Sequence, residues 1–105
     1  MIKYELRYLP LFYDDLVENV NYIRYSLMNG AAADALIDAV ETAIQKRLSC
    51  PESFEPYQSS RERKYNYYRI YVKNYVIYYV VIPGEVPIME VRRMLYRRQD
   101  VDRNI

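Results

Sequence analysis

Four arginines fall within seven residues near the end of the chain: Arg92, Arg93, Arg97 and Arg98, with Tyr96 among them. Guanidinium groups recognise phosphate through planar, multi-donor contacts, and a tyrosine beside them can stack on a base or hold a proton in transfer. The same residues also suit an edge strand guarded by charge. A second group, Arg61-Glu62-Arg63-Lys64-Tyr65 followed by Tyr67-Tyr68-Arg69, interleaves cations with aromatics. That mixture fits single-stranded nucleic acid, and it equally fits strands whose tyrosine rings pack while their hydroxyls stay wet. Glu52 and Glu55 could serve as a general base if either faced the basic residues; a glutamate on a loop is by default solvated. The chain has no histidine. Imidazole bases and His-based metal sites are therefore excluded, Cys50 has no histidine to activate it, and neither metal nor cofactor is expected.

The elements that position these residues follow from hydrophobic periodicity. Residues 2–8 alternate apolar and charged, which reads as a strand. Pro10 breaks the alternation and suits the first turn of a helix. Leu16, Val20, Ile23 and Leu27 then form one helical stripe, with Asp14 and Asp15 near the favoured end of the dipole. Asn29-Gly30 supplies a break, and a second helix over about 31–48 carries Leu36, Ile37, Val40, Ile44 and Leu48 on one face. Lys46 and Arg47 close it and Pro51 bars its continuation. So short a connection predicts an antiparallel helical hairpin.

Residues 50–60 read as a loop. Beyond them Tyr67–Val72, Tyr75–Ile82 and 87–96 read as three strands, joined by turns at Lys73-Asn74 and Pro83-Gly84. The expected fold is one α+β domain over residues 1–105: an N-terminal strand, the helical hairpin, then a three-stranded antiparallel meander completing one sheet, with helices on one face. Strict alternation would place Tyr67, Arg69 and Tyr71 on an exposed face, and Glu90, Arg92, Met94 and Tyr96 opposite Met89, Val91, Arg93 and Leu95.

Composition narrows the function classes. The net charge is +1, so no overall basic field argues for nucleic acid. Between Arg61 and Arg103, however, ten cations stand against five carboxylates, a local surplus that points to an anionic partner. The single cysteine fits a reducing compartment. No apolar run is long enough to span a membrane, and the alternating, charged N-terminus is unlike a signal peptide. A cytoplasmic protein is expected.

Tyr68-Arg69, then Asn74-Tyr75-Val76-Ile77-Tyr78-Tyr79, then Arg93-Met94-Leu95-Tyr96-Arg97-Arg98-Gln99-Asp100, after two helices, resemble the RelE/ParE superfamily of toxins. The resemblance implies an α+β toxin neutralised by a cognate antitoxin. RelE- and YoeB-like members cut messenger RNA on the ribosome without metal, the ribose 2′-hydroxyl attacking the adjacent phosphate. ParE-like members poison DNA gyrase and perform no chemistry. By the resemblance, Arg69 supports the scissile phosphate, Tyr96 stacks on the nucleotide or moves a proton with Arg93 and Arg97 flanking it as phosphate contacts, and Glu52 or Glu55 stands near the place of the general base. Arg63, Lys64, Lys73 and Arg98 complete the RNA-binding set. The chain departs from the nuclease pattern in having no tyrosine after Tyr96 and in lysines, Lys64 and Lys73, that are out of register. The leading expectation is a ribosome-dependent endoribonuclease; the alternatives are a gyrase inhibitor and an inactive partner-binding scaffold, and a homodimer is compatible with each.

Overall fold

The computed structural model describes residues 2–59, 61–99 and 101–105. Strand β1 (Glu5–Tyr8) leads into α1 (Pro10–Asn21), a π-helical turn (Tyr22–Ser26) and α2 (Gly30–Arg47). Strands β2 (Tyr67–Val72), β3 (Tyr75–Ile82) and β4 (Ile88–Tyr96) follow, then a single turn of helix, α3 (Val101–Asn104). The strands form one sheet in the order β1-β4-β3-β2. The meander is antiparallel as expected, but β1 pairs with β4 in parallel, so the sheet is mixed. The helices carry the chain from β1 to the far edge, and the meander then returns to β1 with β4 running in the same direction.

Pro10 opens α1 at its first turn, where a missing N–H costs nothing. Asn29 does more than interrupt: its side chain accepts the Ala32 N–H at 3.0 Å and caps α2. Between the helices the stripe expected through Leu27 fails. The Leu27 N–H reaches back to the Tyr22 carbonyl at 3.0 Å, an i→i+5 bond that inserts one residue into the turn. One residue rotates everything after it by roughly 100°. Leu16 and Ile23 stay against the core, whereas Leu27 turns out and is 56% exposed. Met28 ends the turn in the left-handed region at φ 52°.

The main core lies between the helices and one sheet face, built from Phe12, Leu36, Val40 and Ile44 against Tyr68, Ile70, Ile77, Tyr79, Met89, Val91 and Met94. The second face, expected to be exposed, is a smaller core. Tyr67, Val76, Tyr78, Val80 and Leu95 are buried there, with Tyr57, Tyr65, Ile82, Val101 and Ile105 packed against them. The continuous apolar run of β3 is consistent with burial on both faces.

Strict alternation also fails on β4. Tyr78 pairs with Arg93 but Tyr79 pairs with Val91, so Arg92 is the extra residue of a β-bulge. Downstream of it the pattern inverts: Met94 joins the helix-side core with Met89 and Val91, and Leu95 joins the other.

The loop after α2 is tied down by Arg47 and Tyr79. Arg47 donates from Nη1 to the Arg69 carbonyl and to Tyr79 Oη, both at 2.9 Å, and its guanidinium lies 3.5 Å from the Phe54 ring centroid. Tyr79, fully buried, donates its hydroxyl to the Pro51 carbonyl at 2.6 Å. Tyr79→Phe should therefore destabilise the fold by about 1–3 kcal/mol, the cost of leaving buried partners unsatisfied. A lowered denaturant midpoint with faster proteolysis at residues 51–57 is the expected result.

Candidate functional site

The face of the sheet away from the helices carries an arginine–tyrosine array. Arg69, on β2 opposite Tyr78, is half-buried, with its guanidinium 5.2 Å from the Tyr57 ring and 5.9 Å from that of Tyr71. No carboxylate among the described residues pairs with it. Arg63 lies over Tyr67 at 5.4 Å and donates from Nε to Ser59 Oγ at 3.0 Å. Arg92 covers Tyr67 at 5.5 Å and donates to its hydroxyl at 2.8 Å.

Arg92 also belongs to an ion triad. Glu90 is buried, accepting from Arg92 Nε and Arg7 Nε, each at 2.8 Å, and from Arg7 Nη2. Burial alone pushes the Glu90 carboxyl up, but the hydrogen bonds and charges of the two arginines outweigh it and hold the carboxyl below its ordinary value.

The remaining candidates lie elsewhere. Arg93 donates from Nε and Nη2 to the two Asp15 carboxylate oxygens, each at 2.8 Å, and from Nη1 to the Asn104 carbonyl at 2.6 Å. It locks α1, β4 and α3 together and has no free fork to offer a phosphate. Glu52 is exposed at the end of the sheet where β2 begins, accepting from Tyr4 Oη at 3.0 Å. It borders a cleft of about 360 Å³ with Lys64, Tyr65 and Tyr68. Burial and the neighbouring Glu52 carboxylate raise the Tyr4 and Tyr68 hydroxyls, so neither serves readily as a base. Glu55 is exposed in the same loop.

Tyr96 sits at the opposite end of the sheet. It pairs with Tyr75, their rings meeting edge to face at 5.8 Å, and borders a cleft shared with the helices. Arg69 is thus on the other face from Tyr96. Glu52 and Tyr96 are separated by the length of β2, roughly 13 Å from Tyr68 to Val72 at strand rise. Lys73, in the β2–β3 turn at φ 53°, is exposed, as are Arg97 and Arg98. Lys64 lies over Tyr65 at 5.4 Å. The structure brings Arg69 and Arg63 to one tyrosine-rich face and Glu52 to Lys64; it does not assemble Arg69, Arg93, Tyr96 and Glu52 around one point.

Sequence reasoning missed Arg47, Glu90 and Asp15 as organising residues. Asp15 had a signal, since it lies three residues beyond Phe12 and five before Val20 on the face that α1 buries. Glu90 had a weaker one, a carboxylate two residues from Arg92 in a strand. Among the described residues no group of His, Cys, Asp and Glu could hold a metal ion, and no helix is long and apolar enough to cross a membrane.

Comparison with known families matches residues 6–101 to a model described as the ParE toxin of the type II toxin–antitoxin system parDE. No curated protein matches the chain.

Proposed function

Because the chain belongs to the ParE toxin family of type II toxin–antitoxin systems, we propose that it arrests growth by gripping a protein target, DNA gyrase, in the cytoplasm. An antitoxin is the partner that such a family implies. The observation that carries the non-catalytic reading is the dispersal of the nuclease candidates. Arg93 is consumed by Asp15, and Arg69 and Tyr96 lie on opposite faces. General acid–base and phosphate-stabilising groups must converge within hydrogen-bond reach of one reacting atom.

The ribonuclease reading retains one specific observation: Arg69, free of carboxylates among the described residues, lies beside Tyr57 and Tyr71 as a stacking and phosphate-binding pair would. Two assays, one with the purified chain and one in cells expressing it, decide between them. Gyrase supercoiling should fall in proportion to added toxin, while mapping of messenger 5′ ends after brief induction should show no new cuts inside codons. New cuts lost in an Arg69→Ala variant, with supercoiling intact, would overturn the gyrase reading.

A further inference from the structure

The two edges of the sheet are finished differently. At β2 the outward carbonyls are occupied from within the chain: that of Tyr67 accepts the Tyr57 N–H at 2.6 Å, and that of Arg69 accepts Arg47 Nη1 at 2.9 Å. At β1, the other edge, Glu5 and Leu9 donate to the Pro87 and Val91 carbonyls. That direction turns the amides and carbonyls of Tyr4, Leu6 and Tyr8 away from β4. None of these three has a backbone hydrogen-bond partner among the described residues. An open ladder of this kind is a template for another strand.

The sequence along this edge is its own complement. Residues 4–8 read Tyr-Glu-Leu-Arg-Tyr. Laid antiparallel on a second copy about a twofold axis at Leu6, the segment sets Leu6 against Leu6, each Tyr4 against a Tyr8, and each Glu5 against an Arg7. Leu6 and Tyr8 pack against the main core, so the apolar side chains meet on the helix side. Glu5 and Arg7 meet on the other face. Glu5 is exposed and has no ion pair or hydrogen bond among the described residues. Arg7 is 49% exposed and spends Nε and Nη2 on Glu90, which leaves Nη1 for a second carboxylate. The same charges fix the register. A slip of one residue would put the apolar side chains on the wrong face. A slip of two would set Glu5 against Glu5 or Arg7 against Arg7.

We propose that the chain dimerises through this edge, two copies of β1 pairing antiparallel to join their sheets into one. The twofold axis, normal to the sheet, keeps both helical layers on one side and both arginine–tyrosine faces on the other. A target then meets two copies of that face at once. The inference does not depend on which target that is.

Sedimentation velocity over a concentration series, joined to amide hydrogen exchange read residue by residue, tests this on the purified chain. Monomer should give way to dimer as concentration rises. The Leu6 and Tyr8 amides, open to water in the monomer, should gain protection in step. Glu5→Arg, at an exposed position, should weaken the dimer by on the order of tenfold, because each cross-strand attraction becomes a repulsion. Salt separates this from a structural effect: it should weaken the native dimer and strengthen that of the variant. Glu62→Arg, exposed in the loop before β2, should behave as the native chain does. Circular dichroism checks that each variant is folded. A native chain that stays monomeric throughout the series overturns the proposal, as does a dimer indifferent to Glu5→Arg. So does a dimer whose Leu6 and Tyr8 amides exchange as in the monomer, which would put the contact elsewhere. Protection that appears only when another protein is added would give the edge to a foreign strand and overturn it too.

Discussion

Asp15→Ala should lower the folding stability by about 3–5 kcal/mol, the loss expected when one partner of a buried ion pair is removed. The reason lies in how much converges on this carboxylate. Both oxygens accept from Arg93, and Oδ2 also accepts the Met94 backbone N–H at 2.9 Å. The Asp15 and Arg93 side chains are only 11% and 19% exposed, so solvent screens the pair weakly. The short strand β1 ends at Tyr8, and Leu9 donates to the Val91 carbonyl. Beyond that point β4 has no strand on this side, and Asp15 supplies the acceptor that a strand would have given to Met94. Alanine therefore strands a half-buried guanidinium and an edge N–H together. Asp15→Asn should lose less, because its carbonyl oxygen can still accept one donor. Urea midpoints for Asp15→Ala, Arg93→Ala and the double variant check this, and the cycle should show strong coupling. Additive losses would mean that the pair does not hold α1 to β4.

Glu90→Ala should cost about 2–4 kcal/mol at neutral pH, since Arg7 and Arg92 would then face one another without the buried carboxylate between them. Arg7 is half exposed, which moderates the loss. Acid reproduces part of the effect. The Glu90 carboxyl is held below its ordinary value in the folded chain. The unfolded state therefore takes up its proton first as pH falls. The stabilisation is complete above the unfolded value of 4.5 and is lost as pH drops through the lower, folded value. A Glu90→Gln variant should be less stable than the native chain at pH 7 and should lose less on going to pH 3. Parallel pH profiles for the two proteins would show that Glu90 does not contribute the acid sensitivity.

Much of the fold was legible in one dimension. The 2.0 and 3.6 periods, Pro10 at a helix start, Pro51 beyond a helix end, and turns at Lys73-Asn74 and Pro83-Gly84 specify the four strands and the two long helices through local backbone preferences and burial, but not the π-helical turn or α3. The family, too, could be read from the residues of the last strands, and the match over residues 6–101 bears that out.

The site was not legible in the same way, because three local departures from periodicity decide which side chains share a surface. The bulge at Arg92 inverts the faces of β4 beyond it, so that Met94 and not Arg93 continues the helix-side core, and Arg93 is left to pair with Asp15. The π-turn turns Leu27 outward to the wall of a cleft, although the apolar stripe had set it with Leu16 and Ile23. The second core buries Tyr67 and Tyr78 on the face where alternation alone left them in water. Each departure is a one-residue or one-layer change, and the side chains that hold the resulting packing are distant in sequence: Asp15 and Arg93 lie 78 residues apart, and Arg47 and Tyr79 lie 32 apart. Residue types and periods determined the elements and the family. Which charges are spent holding those elements together, and which are left to meet a partner, was decided only by packing in three dimensions.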